Sequence, residues 1–310
     1  MDEREPITRL TDFFEAFPDE RACEEYLFTL QFPNGFICPR CGCRSFGRIR
    51  DRRELQCHDC AHQTSLTAHS MMHRSHLPLR KWFLAIFLIT HDKRGYSAMQ
   101  LAHELKITRK SAGYLLQRIR AAMALQVIPN VMSGTVELDD AYIGSKGKTR
   151  CRGTEKVPFM VAVEKSKGGG VAIRATESLK GGDYRLFAHD HLSRTSHIRT
   201  DGFRPIAAGL ASYSGLDALV FDEDDVDRSL PCVHHIISNF KSVINGTYHG
   251  VRKDYLQSYM DEFAYRYNNR RNADVFNTLL CDICFAIKHA KPALIELFRF
   301  QSLNDQKVAA

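Results

Sequence analysis

The chain has 310 residues, 44% of them apolar and 25% charged, with ten cysteines and a formal net charge of +7. That is enough apolar material for one large domain plus small accessory modules, and no run approaches the roughly 18 to 20 apolar residues of a membrane span. The N-terminal MDEREPITRL is acidic and polar instead of signal-like, so a cytoplasmic protein with reduced thiols is expected, and the positive charge suits a polyanionic partner.

Cys38-Pro39-Arg40-Cys41 and Cys57-His58-Asp59-Cys60 form two C-x2-C pairs separated by fifteen residues. Each pair makes a tight knuckle offering two thiolates to one tetrahedral Zn2+, and the residues between them can form a hairpin that brings the pairs together. A structural zinc ribbon is expected within residues 1–70, with the metal supplying much of its folding free energy because the core of so small a module is minimal. Cys43 would break the two-residue spacing and is left out, and His58 and His62 read as exposed ribbon residues. Arg48 and Arg50 belong to a run of arginines that begins at Arg40. They are candidate contacts to DNA, although such a run also suits a solvated surface.

Residues 71–128 read as helical. In HLPLRKWFLAIFLITHDKRG the apolar residues Leu79, Trp82, Phe83, Ile86, Phe87 and Ile89 recur at helical spacing after a proline start. SAMQLAHELKITRKSAGYLLQRIRAAM then reads as two helices joined by a turn at Lys106 to Thr108, with Thr108 as N-cap of the second. A helix-turn-helix lays its second helix in the major groove of double-stranded DNA, which makes Arg109 and Lys110 the leading-edge residues.

Ile128-Pro129-Asn130 marks a boundary, and residues 130–300 read as an α/β domain, α+β in its order of elements. Strands are expected at Thr135–Gly144, Val157–Glu164 and Gly170–Thr176, a helix at Gly182–Leu192, strands at Ser196–Thr200 and Leu216–Phe221, and helices from His234 onward. This is the order of an RNase H-like fold with a mixed sheet covered by helices. Side chains alternate along a strand, so Glu137 and Asp139 share one face and Asp140 the other. Asp201 ends the fourth strand beside a turn-forming Gly202. First and fourth strands are neighbours in this order, which brings Asp139 and Asp201 together, and two converging carboxylates suit Mg2+ or Mn2+ and phosphoryl transfer. Cys281 and Cys284 form a third C-x2-C without a second pair and read as buried thiols; residues 301–310 read as a disordered tail.

The segments VELDDAYIG, RGTEKVPFMVAVEK, RTDGF and VHHIISNFKSVINGTYHGVRKDYLQSYMDEFAYRYNNRR resemble, in this order, the ISXO-like DDE insertion-sequence transposases. CPRCG and CHDC, PLRKWFLAI and SAMQLAHELKITRKSAGYLLQRIR fit the same family. The resemblance implies a transposase that binds the terminal inverted repeats of its element, cuts the DNA with metal-activated water and joins the freed 3′-hydroxyl to target DNA. Asp139 and Asp201 fall on the first two catalytic carboxylates. At the third position, where the wider superfamily has glutamate, this chain offers Asn239, followed by Lys241. An amide oxygen ligates Mg2+ without charge or basicity, so weaker metal affinity would follow. Helical geometry puts Asn239 with His235, Ile236 and Val243, and Lys241 beside His234 and Ile237, better placed for a DNA phosphate than for the metal. Glu262 and the acidic cluster at Asp222 to Asp225 stay open as alternatives for the third place.

Arg266 and Arg270, in YRYNNRR, are candidates for backbone phosphate binding. A homo-oligomer on DNA is expected because joining needs two element ends held together. Location follows the partner: the cytoplasm, at the nucleoid when bound. Two other readings remain at this point, a non-catalytic DNA-binding regulator or decayed transposase, for which Asn239 is the argument, and a nuclease that cuts without joining.

Overall fold

A computed structural model describes residues 5–49, 52–127, 131–144, 156–218 and 230–289. Arg50, the boundary at Ile128-Pro129-Asn130, the acidic cluster Asp222 to Asp225 and the tail lie outside the described residues. The chain divides into two compact units, one of residues 1–91, 101–125 and 273–310, the other of residues 92–100 and 126–272. No helix among the described residues is long and apolar enough to cross a membrane.

In the first unit, α1 (Leu10–Ala16) and α2 (Glu20–Gln31) precede an antiparallel sheet of β1 (Phe46–Arg48), β2 (Glu54–Cys57) and β3 (Gln63–Ser65). The sheet has more of a core than its length suggests. Phe28 of α2 stacks on Phe46 at 5.3 Å, and Phe36 lies 4.9 Å from the same ring. Aromatic pairs of this kind add about 0.5–1.5 kcal/mol beyond the area they bury. The helix α3 (Leu79–His91) forms as its apolar spacing predicts, burying Trp82, Phe83, Ile86 and Phe87.

The sequence reading is corrected at α10 (Val275–His289), which it assigned to the domain of residues 130–300. This helix packs on α3 in the first unit, with Phe276 5.8 Å from Phe17 and 6.2 Å from Phe83. Leu279, Leu280 and Ile283 are fully buried there, and Cys284 among them is a buried thiol. An apolar stripe states that a helix is covered without stating by what.

The helices α4 (Ala98–Leu105) and α5 (Arg109–Val127) flank a turn at Lys106–Thr108, as expected. Ile107 N–H donates to Ala102 O at 3.0 Å and Lys106 N–H to His103 O at 3.3 Å, the paired bonds of a Schellman ending, with Lys106 at φ +49°. Thr108 Oγ1 accepts from Ser111 N–H at 3.1 Å, as an N-cap should.

The second unit is built on a mixed five-stranded sheet in the order β6-β5-β4-β7-β8. Its strands are β4 (Thr135–Ile143), β5 (Val157–Glu164), β6 (Val171–Ala175), β7 (His197–Thr200) and β8 (Gly215–Ala218). β4 runs antiparallel to β5 and parallel to β7, so the first and fourth strands of this domain are neighbours. On one face, Val136, Leu138, Met160 and Ile198 pack with Tyr184 and Phe187 of α6 (Gly181–His191) and Ile206 of α7 (Arg204–Gly209). On the other face, α8 (Pro231–Gly246) lies on β4 and β5, and α9 (Leu256–Asn268) on β6. The open edge of β6 is closed by side-chain amides of α9: Gln257 bonds Ala175 N–H and Ile173 O, and Asn268 bonds Val171 N–H and O.

Lys106 holds a left-handed backbone that glycine adopts at no steric cost. Lys106→Gly is expected to raise the free energy of unfolding by between about 0.5 and 1 kcal/mol, read by denaturant titration; an unchanged or lower value contradicts the capping account.

Candidate catalytic centre and zinc site

The two cysteine knuckles meet in space. Cys38 Sγ and Cys60 Sγ are 3.6 Å apart, Cys41 Sγ and Cys57 Sγ 3.5 Å, and all four sulfurs lie within 4.8 Å of one another. Disulfide sulfurs would sit about 2.05 Å apart, whereas a tetrahedron with Zn–S near 2.3 Å has edges of about 3.8 Å. The four thiols fit zinc and fit no disulfide, and Cys43 turns away, accepting from Ser45 N–H at 3.2 Å. Backbone N–H groups of Cys60 and Asp59 hold the Cys57 thiol below its ordinary pKa, favouring the thiolate that a metal requires. About one zinc per chain is expected in the purified protein, and its removal by a chelator at neutral pH should unfold the ribbon, read as loss of amide protection over residues 36–65; a ribbon that keeps its protection without zinc contradicts this.

The carboxylates assemble along β4 and β7. The parallel pairing of the two strands runs as far as Glu137 opposite Arg199. Two residues further on, Asp139 comes level with Asp201, on the same face by alternation. Asp139 is mostly buried, with 13% of its side chain exposed. Asp201 is exposed at the strand end, where its Oδ1 accepts from Phe203 N–H at 3.1 Å and Gly202 takes φ +71°. Asp140 faces the other way and accepts from Tyr184 O–H at 2.6 Å. Burial and the carboxylate of Asp140 push the Tyr184 phenol up, and Asp139 and Asp201 add to that field from nearby.

Across this face runs the first turn of α8. His234 Nε2 is 3.2 Å from Asp139 Oδ2. Lys241 follows seven residues later, about 20° round the helix from His234. Its half-buried stem carries the ammonium 6.0 Å over the Phe159 ring. Burial lowers the Lys241 pKa, Asp139 opposes that shift and Lys156 adds to it, so cation and carboxylate share one field. Asn239 is not part of this group. It lies about 140° round the helix from His234, is exposed, and bonds His235 Nε2 at 2.9 Å on the outer side of α8. Asn239, the expected third ligand, therefore points away from Asp139, and the side chain that stands beside Asp139 from this helix is His234. The seven-residue spacing from His234 to Lys241, which puts both on one side of a helix, is the sequence feature that could have singled it out.

What sets α8 in this position is Glu137, fully buried two residues before Asp139. Its Oε2 accepts from Cys232 N–H at 2.8 Å and Val233 N–H at 3.1 Å, the first open donors of the helix, and Lys165 Nζ stands 3.9 Å from its Oε1. A carboxylate at a helix N-terminus meets both free N–H groups and the positive end of the dipole. Among the described residues, only the four cysteines bring three or more ligand atoms of His, Cys, Asp or Glu within 4.8 Å of one another.

The other expected site residues divide. Arg109 and Lys110 are exposed at the start of α5. Arg48 is held by Glu25 at 2.7 Å, its guanidinium 5.3 Å from the centre of the Phe28 ring. Arg270 donates to Tyr267 O and Gly169 O from an exposed position. Arg266 is corrected: 7% of its side chain is exposed, it pairs with Glu262 at 3.4 Å and donates to Asp92 O and Lys93 O. Glu262 is correspondingly unavailable as a metal ligand, being buried with Arg266 and accepting from Tyr248 O–H at 2.8 Å. A Cβ at Gly95, φ +79°, would overlap both the Tyr248 hydroxyl and the Glu262 carboxylate. Arg266→Ala strands the Glu262 charge and is expected to cost about 3–5 kcal/mol of stability, read by denaturant unfolding; a variant as stable as wild type that binds DNA more weakly would restore the surface role.

Residues 131–268 match the family model described as the ISXO2-like transposase domain, and residues 18–63 that of the transposase zinc-ribbon domain. The chain is also 26% identical, over 81% of its length and 92% of the relative's, to a protein described as an uncharacterized protein in transposable element ISH50 of Halobacterium salinarum. The first match spans the sheet with Asp139 and Asp201 and the helices α8 and α9, and the second spans α2 and the four cysteines. The two matches place a transposase zinc-ribbon domain ahead of an ISXO2-like transposase domain in one chain, which is similar to transposases in both parts.

Proposed function

We propose that the second unit is an RNase H-like nuclease and strand-transfer domain whose metal-facing residues are Asp139, Asp201 and His234. The observation that carries this reading is the 3.2 Å approach of His234 Nε2 to Asp139 Oδ2, on a strand paired in parallel with the strand that ends at Asp201. Mg2+ or Mn2+ held by these side chains would activate the attacking hydroxyl and neutralise charge on the scissile phosphate. An imidazole ligand in place of a third carboxylate favours the softer Mn2+ over Mg2+. Lys241 contributes a cation to a phosphate oxygen, its stem confined by Phe159, and Glu137 fixes the helix that presents both His234 and Lys241. In this reading Asn239 lies outside the metal-facing set, which removes the argument it gave for a non-catalytic protein.

The substrate in this reading is double-stranded DNA at the terminal inverted repeats of the protein's own element. The pair α4–α5 is read as a helix-turn-helix, with Arg109 and Lys110 exposed where the recognition helix meets the groove. The zinc ribbon and Arg270 are assigned backbone contacts, and Arg48 a lesser one because Glu25 already holds it. Two copies are proposed to act together, one for each element end.

Cleavage of a labelled duplex carrying the element ends, followed on a denaturing gel with Mn2+ or Mg2+, tests the assignment. Asp139→Ala, Asp201→Ala and His234→Ala are expected to lose about 100-fold or more, with Asn239→Ala within about threefold of wild type and Mn2+ the better metal. Loss of cleavage in Asn239→Ala with His234→Ala active would overturn the assignment, and cutting without joined products would reduce the reading to a nuclease.

A further inference from the structure

Between β3 and α3, an eight-residue stretch carries His69, His73, Arg74 and His76, all four exposed. The stretch is closely fastened. His73 N–H donates to Ser70 O at 3.1 Å, Ser75 N–H to Met72 O at 3.2 Å and Met71 N–H to Ile283 O at 2.9 Å. The buried Ser70 hydroxyl bonds Thr67 O at 2.7 Å, and Trp82 Nε1–H donates to Ser75 Oγ at 2.9 Å. From α5, the Arg118 guanidinium donates to Met71 O and His73 O, both at 2.6 Å, while lying 4.3 Å from the centre of the Tyr114 ring.

Fastened in this way, the backbone takes left-handed values at two residues that are not glycine, His69 at φ +59° and Arg74 at φ +56°. Such conformations cost roughly 1–3 kcal/mol each and persist only where surrounding bonds impose them. The charged groups facing His73 are Arg74, His69 and Arg118, all basic; partial burial and these cations lower its pKa. Among the described residues no carboxylate pairs with His69, His73 or Arg74. A rigid surface that collects like charges without a counter-ion is costly alone and is relieved by a polyanion, and a preformed shape binds it with little ordering cost.

We propose that this turn segment is a DNA-backbone contact, in which Arg74 and the histidines 69 and 73 sit against phosphates and His73 takes up a proton as the duplex binds. The inference rests on the reading of the first unit as a DNA-binding module, since the ribbon and α5 belong to that unit. Free His73, its pKa held below the ordinary 6.5, is neutral at pH 8; a neighbouring phosphate raises the pKa, so affinity should rise as pH falls towards 6.

The test is binding of the full zinc-loaded chain to a random-sequence duplex by fluorescence anisotropy, with salt titrations at pH 6 and pH 8. Wild type is expected to show a log K against log salt slope steeper by about 1 at pH 6 than at pH 8, about 0.9 for each phosphate newly met by a cation. The triple variant His69→Asn, His73→Gln, Arg74→Asn should lose most of that pH difference and about 1 unit of slope at pH 8, asparagine being chosen where the backbone is left-handed. Arg74→Asn alone, the milder change, should lose the 1 unit at both pH values, which keeps the test open if the triple variant folds poorly. Slopes and affinities equal to wild type in both variants overturn the surface while leaving DNA binding intact. Wild type that binds no duplex at either pH overturns the surface and the DNA reading together.

Discussion

The second unit depends on one buried carboxylate in the middle of a strand. Glu137 is fully excluded from water, a position that would be expensive for its charge without compensation. Two helix N–H groups supply that compensation, and in doing so they tie the first turn of α8 to β4. Asp139 follows two residues along the strand, and His234 follows the capped residues by one or two along the helix. One interaction therefore sets the distance between a carboxylate and an imidazole that belong to elements far apart in sequence. Phe240 against Phe159, 5.6 Å between rings, fixes the same helix two turns further on and leaves Lys241 directed over the same face.

Much of this was legible in the sequence. The cysteine spacing stated the zinc site, because the geometry of a C-x2-C knuckle is local. The alternation in VELDD separated Asp139 from Asp140, and the strand order put Asp201 beside Asp139. The turn at Lys106 to Thr108 and its N-cap followed from side-chain chemistry within a few residues. Each of these rests on short-range regularities that the tertiary structure has little occasion to override.

What was not legible depended on long-range placement. Asn239 and His234 sit on one helix, and the sequence stated the angle between them without stating which side faces the sheet. Choosing by family pattern selected the amide, whereas the hydrogen bonds of Glu137 hold the helix with His234 towards Asp139. Arg266 looked like a surface cation in a basic, aromatic run. It is instead the partner of the buried Glu262, and that pairing required knowing that both lie one turn apart on the covered face of α9. The partner of α10 was equally unreadable, since Phe276 meets rings from α1 and α3 that lie nearly two hundred residues earlier or more.

The central claim is that Asp139, Asp201 and His234 form one metal-binding group and Asn239 stands apart from it. Binding of Mn2+ to the chain with its zinc in place, followed by electron paramagnetic resonance, tests this without reference to catalysis. The account predicts that His234→Ala weakens Mn2+ binding by about tenfold or more and removes nitrogen from the coordination of the ion, while Asn239→Ala binds as wild type does. Binding that is lost in Asn239→Ala and kept in His234→Ala would contradict it.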